Sequence, residues 1–262
     1  MKLPSGGAAQ RLLEGARRLG IDVGPDAVDR LLRFAGIVST GDGANVTAIR
    51  AFDQVLVLHV LDSLAGLRVL DRLPGDGSLV DVGTGAGFPG LALACARPQW
   101  SWTLIDATRK KIEFVRSTAA MLGLSGVNTV WGRVEELGRR EGFRDAFAVA
   151  VARAVAPLAV LVELALPLVR AGGHLIAYKG PRAEEELRDA QSALAELTGE
   201  LVAVDRFQLP FDGGERALVW ITKRAPTPPA FPRRPGMASK RPLGRSGRGK
   251  IATGRKARNA TE

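Results

Sequence analysis

Apolar residues in the first 70 positions recur at helical spacing. Leu12, Leu13, Ala16 and Leu19 form one face, and Val28, Leu31, Leu32 and Ala35 another. Phe52 to Leu67 reads as a third, strongly apolar helix. From Leu79 the pattern changes: SLVDVG is a short apolar strand, GLALACA a helix, SWTLID a second strand, and Arg109 to Met121 a helix. VNTVWG is a third strand, and AFAVAVAR a fourth, followed by a helix running to Val169. GGHLIAYKG supplies a fifth, a charged helix spans Ala183 to Leu197, and ELVAVDRFQL and RALVWITK complete the set. This alternation predicts an α/β fold, a mostly parallel seven-stranded sheet covered on both faces with an N-terminal helical extension. The PFDGGE turn between the last two strands predicts an antiparallel edge. The expected organisation is a helical extension over 1–70, a sheet domain over 71–223, and a basic, largely disordered tail over 224–262.

An apolar content of 46% over 262 residues is enough for a packed core. The single cysteine, Cys95, lies in an apolar run, which excludes a disulfide framework or a cysteine-based metal site and fits a reducing cytoplasm. No metal is expected. The N-terminus lacks the apolar core and small-residue cleavage site of a secretory signal. The longest apolar tract, Ala154 to Val169, is broken by Pro157, Glu163 and Pro167 and is too short to span a bilayer. Nothing points to a membrane or to an obligate protein partner. Charge adds more. The net +10 resides in the tail: residues 223–262 hold twelve Lys or Arg and one acid, whereas residues 1–222 hold 25 basic and 26 acidic side chains. Such a Pro-, Gly- and Arg-rich segment suits an electrostatic arm for RNA, with a solubilising tail as the plainer reading.

The sharpest signal is Val80-Asp81-Val82-Gly83-Thr84-Gly85-Ala86-Gly87-Phe88-Pro89-Gly90, between the first strand and the first helix of the sheet domain. Open α/β sheets bind ligands there, and glycines let backbone approach a bound group. Gly85, Gly87 and Gly90 satisfy the dinucleotide spacing, while Gly83, Gly85 and Gly87 satisfy the tighter D-x-G-x-G-x-G pattern of methyltransferases. Asp81 favours the second. A carboxylate at this turn would repel a pyrophosphate, whereas the ammonium and sulfonium of S-adenosylmethionine suit it. Asp106, ending the second strand, can accept the ribose hydroxyls of an adenosine cofactor of either class.

The acceptor is bounded by what is missing. Buried Cys95 cannot supply the exposed nucleophile of pyrimidine carbon-5 methylation, and no Asn/Asp-Pro-Pro-aromatic tetrapeptide follows the fourth strand to hold an exocyclic amine. That strand ends instead in Arg153, a candidate positioning residue. A nucleophile with a free lone pair, such as guanine N7, needs positioning and charge management but no general base. His59, Asp62 and Ser63 lie on one helical face; they read as a hydrogen-bond network packed on the glycine loop, not as a catalytic triad.

The segments DVGTGAGFPG, IDATRKKIEFV, GRVEEL, VARAV, LIAYKG, NVTAI, HVLDSL and the tail's PRRPG and KRPL resemble the RsmG (GidB) family, whose members have a class I, Rossmann-like methyltransferase fold. The likeness runs in order from about Asn45 to Leu243. It implies transfer of a methyl group from S-adenosylmethionine to guanine N7 in the 530 loop of 16S ribosomal RNA, at the position numbered 527. The partner would be that RNA, in the 30S subunit or its assembly intermediate. A class I methyltransferase acting on a protein or small molecule is the alternative. The resemblance implies cofactor contacts at Gly83, Phe88, Asp106, Ala107, Thr108, Val134, Glu135 and Arg153, beside the Asp81, Gly85 and Gly87 read from the loop itself. Arg109 and Lys110, opening the helix after the second strand, are RNA candidates, with Lys179, Arg216, Arg233 and Arg234. The residues after KRPL run longer and more basic than the family pattern.

Overall fold

A computed structural model describes residues 6–41, 47–73 and 77–244. The chain opens with α1 (Gly6–Arg18) and α2 (Pro25–Thr40). Next come α3 (Phe52–Val55), a π-helical stretch (Leu56–Leu61), α4 (Asp62–Leu64) and α5 (Leu67–Leu70). The sheet then alternates with helices: β1 (Ser78–Val82), α6 (Gly90–Ala96), β2 (Ser101–Asp106), α7 (Arg109–Met121), β3 (Val127–Trp131), α8 (Val134–Leu137) and β4 (Phe147–Arg153). α9 (Leu158–Ala165), β5 (Val169–Lys179), α10 (Ala183–Asp189), α11 (Gln191–Glu196), β6 (Gly199–Leu209) and β7 (Gly214–Lys223) complete it, and α12 (Met237–Lys240) follows.

The seven strands lie in the order β3-β2-β1-β4-β5-β7-β6. The first five pair in parallel and β7 runs antiparallel to both neighbours. Strand alternation divides the core. Leu79, Leu104, Val149 and Val151 face the cluster shared with the N-terminal helices, α6 and α7. Val80, Ile105, Ala150 and Ala152 face the cluster of α9, α10 and α11. The helices of residues 1–70 therefore share one apolar core with a sheet face, instead of standing beside it.

Three expectations change. The helix expected up to Val169 is shorter: Ala154 takes φ +56°, α9 starts after Pro157, and Pro167 lies in a 3-10 turn (Leu166–Leu168), so β5 begins at Val169. The charged helix divides at Ala190 into α10 and α11. The third correction concerns the tail. Residues 224–244, expected to be largely disordered, lie against the α8–α9 side of the sheet as a strap, because buried anchors, polar and apolar, hold them down: Lys223 is 0% exposed, and Phe231 and Ala238 are buried. The rest of the expected tail, 245–262, lies outside the described residues.

Candidate active site

The glycine loop leaves β1 and turns into α6. Gly83, Gly85 and Gly87 have φ of +73°, +60° and +97°, a region that L side chains avoid. A Cβ on Gly83 would come within 2.9 Å of the Val155 side chain, whereas one on Gly85 would meet nothing closer than Gly83 O at 3.9 Å. The loop is thus tight against the β4 side and open at Gly85, where a ligand can approach the backbone.

Asp81 supports this loop from behind. It is 0% exposed and accepts the Gly90 N–H at 2.8 Å, with its other oxygen unpartnered among the described residues. Burial pushes its carboxyl up to about 6; the nearby Thr84 hydroxyl, outside hydrogen-bonding geometry, favours the ionised form, as do the Gly90 N–H and Arg153. The sequence reading placed Asp81 against the cofactor's cation; here it fixes the start of α6 and has no exposed face. Asp106 lies nearer the opening. Its Oδ2 accepts the Gly85 N–H at 3.0 Å and its Oδ1 the Thr108 N–H at 2.8 Å, so the carboxylate is locked in place and retains lone pairs. Ala107 and Thr108 are exposed beside it, and Val134 is half-buried at the start of α8. Glu135 is 9% exposed, and its Oε1 accepts the Gly236 N–H at 2.9 Å.

Phe88 is buried between the Phe34 ring, 4.7 Å away, and the His59 ring, stacked at 4.8 Å. The expected network on the 56–64 helix is present and reaches further than the sequence indicated. Ser63 donates back to His59 O at 2.6 Å, and Thr47 Oγ1 lies 3.0 Å from His59 Nε2. Burial first, and the Arg153 charge second, lower His59 to about 4. The residue whose part the sequence missed is Asp62. Its Oδ2 receives Arg153 Nη1 at 2.7 Å and its Oδ1 receives Arg216 Nε at 3.1 Å. Arg153 also donates to His59 O at 3.2 Å, and its guanidinium lies 5.3 Å from the Phe88 ring centre. The helical spacing of HVLDSL put Asp62 beside His59, but only the sheet order brings Arg153 and Arg216 to it.

His59, Asp62, Arg153 and Arg216 line a cavity of about 600 Å³ at the C-terminal ends of β4 and β5, walled also by Tyr178, Lys179, Arg182, Glu186 and Phe207. Lys179 Nζ pairs with Glu186 at 2.8 Å and donates to Ala156 O. Four cations thus face two carboxylates, and both carboxylates are ion-paired. The remaining RNA candidates divide. Arg109 and Lys110 are exposed at the start of α7, with Arg109 held 5.7 Å over the ring of Trp131, which is 58% exposed. Arg234 is exposed, whereas Arg233 is committed to buried Glu163.

The family model described as "GidB: rRNA small subunit methyltransferase G" matches residues 29–218. The "Ribosomal RNA small subunit methyltransferase G" of Deinococcus radiodurans is 45% identical over 233 residues, covering 88% of this chain and 91% of the relative. The protein of the same name from Alkaliphilus metalliredigens is 41% identical, covering 88% and 97%. Among solved structures, a geranyl diphosphate methyltransferase in complex with SAM superposes with a TM-score of 0.51 at 15% identity, covering 70% of this chain and 94% of that one. The [4+2]-cyclase SpnF gives 0.52 at 16%, covering 78% and 98%. These two carry the fold alone.

Proposed function

The chain belongs to the GidB family, rRNA small subunit methyltransferase G, and on that premise we propose that it methylates N7 of the guanine numbered 527 in the 530 loop of 16S ribosomal RNA. The cofactor is S-adenosylmethionine, which when bound supplies a methyl group activated by its sulfonium. The residues present fit it: the open side of Gly85, the locked carboxylate of Asp106, and the Val134–Glu135 segment make a cradle for an adenosine joined to an amino acid. Asp81 sets the turn from inside.

The observation that carries the acceptor is the cavity beside this cradle. A nucleophile bearing a proton requires a base, and the lining offers no free one. Asp62 is held by two guanidiniums, Glu186 by Lys179, and His59 is a weak base near 4. Guanine N7 already presents its lone pair, so the chain need only orient the base and exclude water. Cations in excess over carboxylates suit the phosphates of an RNA strand. Arg153, fixed by Asp62 and the 56–64 helix, stands between cradle and cavity as the positioning group.

No helix among the described residues is long and apolar enough to cross a membrane. The substrate form we favour is the 30S subunit or its assembly intermediate, in the cytoplasm. Transfer of labelled methyl to small subunits lacking the modification, followed by nucleoside analysis, tests the reading. Labelled 7-methylguanosine at one site is the expected product. Label appearing only on protein or on a small molecule would refute the RNA acceptor.

A further inference from the structure

The PRRPG and KRPL segment lies in the strap. Its first anchor is Lys223, whose buried Nζ donates to Leu166 O at 2.9 Å and Val169 O at 2.7 Å and meets Asp145 and Thr227. Arg144 then donates to the carbonyls of Thr227, Pro228 and Phe231. The next anchor is charged. Arg233 places Nε 2.7 Å from Oε1 and Nη2 2.5 Å from Oε2 of Glu163, and its backbone N–H reaches Oε1 at 3.1 Å. Glu163 is on α9 and 1% exposed. A planar fork on a buried carboxylate fixes direction as well as distance. Arg233 Nη2 also donates to Arg241 O at 2.8 Å, tying together the two ends of the α12 loop.

What the latch holds in place is the outer side of the cofactor cradle. Gly236, at φ +78°, aims its N–H at Glu135. Ala238 of α12 is 2% exposed and packs with Val160 and Leu164 against Val134 and Val155. Val155 in turn closes on Gly83 of the glycine loop. One short segment thus backs the turn after β3 and the turn after β4, on either side of the loop.

We propose that Arg233 and Glu163 are positioning residues for the cofactor site, latching residues 233–241 so that α12 holds Glu135, Val134 and Val155 in place as its outer wall. The proposal rests on S-adenosylmethionine binding in that cradle and not on the identity of the acceptor. Arg233, a basic residue of a basic tail, then serves the cofactor and not the RNA.

Calorimetric titration of the full-length chain with S-adenosylmethionine tests it, alongside KM and kcat. Arg233→Lys keeps the charge and loses the fork. Gly236→Pro removes the N–H and forbids the positive φ while leaving the latch residues intact. Both are expected to weaken cofactor binding at least fivefold and to raise KM for S-adenosylmethionine, with kcat at saturation within about twofold. Gly236→Asn, which keeps the N–H, tolerates the left-handed φ better than other L residues and places its Cβ where nothing lies within 4 Å, should recover most of the affinity. Arg224→Ala, in an exposed pair with Glu200, should bind as wild type. Affinity unchanged in Gly236→Pro, or in a folded Arg233→Lys, overturns the proposal while leaving the cofactor reading standing. A wild-type chain that does not bind S-adenosylmethionine overturns both.

Discussion

The cations of this chain fall into two groups that the sequence does not separate. Arg153, Arg216, Lys179 and Arg233 point inward, each onto a carboxylate of Asp62, Glu186 or Glu163. Arg109, Lys110 and Arg234 are exposed. An inward guanidinium on a buried acid determines geometry, because losing it strands a charge away from water. An outward one acts at a distance and is screened by salt. The count of 37 Lys and Arg side chains therefore overstates how many are available to a polyanion. The two groups should respond to substitution in different observables.

The largest effect belongs to the inward group. Arg153→Ala leaves Asp62, 8% exposed at its side chain, facing Arg216 alone. We expect a loss of about 3 kcal/mol in stability and a fall of about a hundredfold in kcat/KM from misplacement of the acceptor. Chemical denaturation and steady-state kinetics measure the two. A variant that is equally stable and active would place Arg153 with the outward group.

A pH effect follows next in size. The Asp81 carboxyl, pushed up to about 6 in the fold, ionises more readily once unfolded. Between roughly pH 4 and 6 the folded state therefore holds a proton at Asp81 that the unfolded state has released. The Asp81 contribution to stability falls as pH rises through that window, against an opposite rise from His59, whose ring is held neutral in the fold down to about 4. The Asp81 shift is worth about 3 kcal/mol at 1.36 per unit. Asp81→Asn, whose carbonyl can still accept the Gly90 N–H, should remove the falling part, so that its stability rises more steeply with pH than that of wild type. Thermal melts of both chains across the window check this; a variant with the same pH slope as wild type would show that Asp81 contributes none of it.

How much of this was legible depended on the range of the interaction. All seven strands follow from local apolar runs, and the positive φ at Gly83, Gly85 and Gly87 from the loop's own glycines. Asp106 at the end of β2 was likewise local. What escaped were pairings between distant positions: Asp62 with Arg153 and Arg216, or Glu135 with Gly236, 101 residues apart. Composition misled over 224–244 because proline, glycine and arginine are common in unstructured chains. In this segment the polar groups find buried partners, Lys223 among carbonyls and Arg233 on Glu163. The bend at Ala154 was hidden by an apolar run that favours continuing a helix.

The smallest effect sharpens the comparison from the other side. Arg109 ion-pairs with Glu113, one turn along α7, and both side chains are more than half exposed. Such pairs contribute little to folding, so the double variant Arg109→Ala/Lys110→Ala should melt with wild type. If α7 and the Trp131 ring beside it meet the RNA strand, the variant should bind small subunits a fewfold less tightly. Its plot of log affinity against log salt should also be shallower, by about 0.7 for each single-strand phosphate that the variant no longer neutralises. Arg216→Ala offers the contrast, because it removes an inward partner of Asp62 and should lower stability as well as affinity. A double variant with unchanged salt slope would mean that the exposed cations at α7 are solvated charge, and that the RNA is held by the cavity wall.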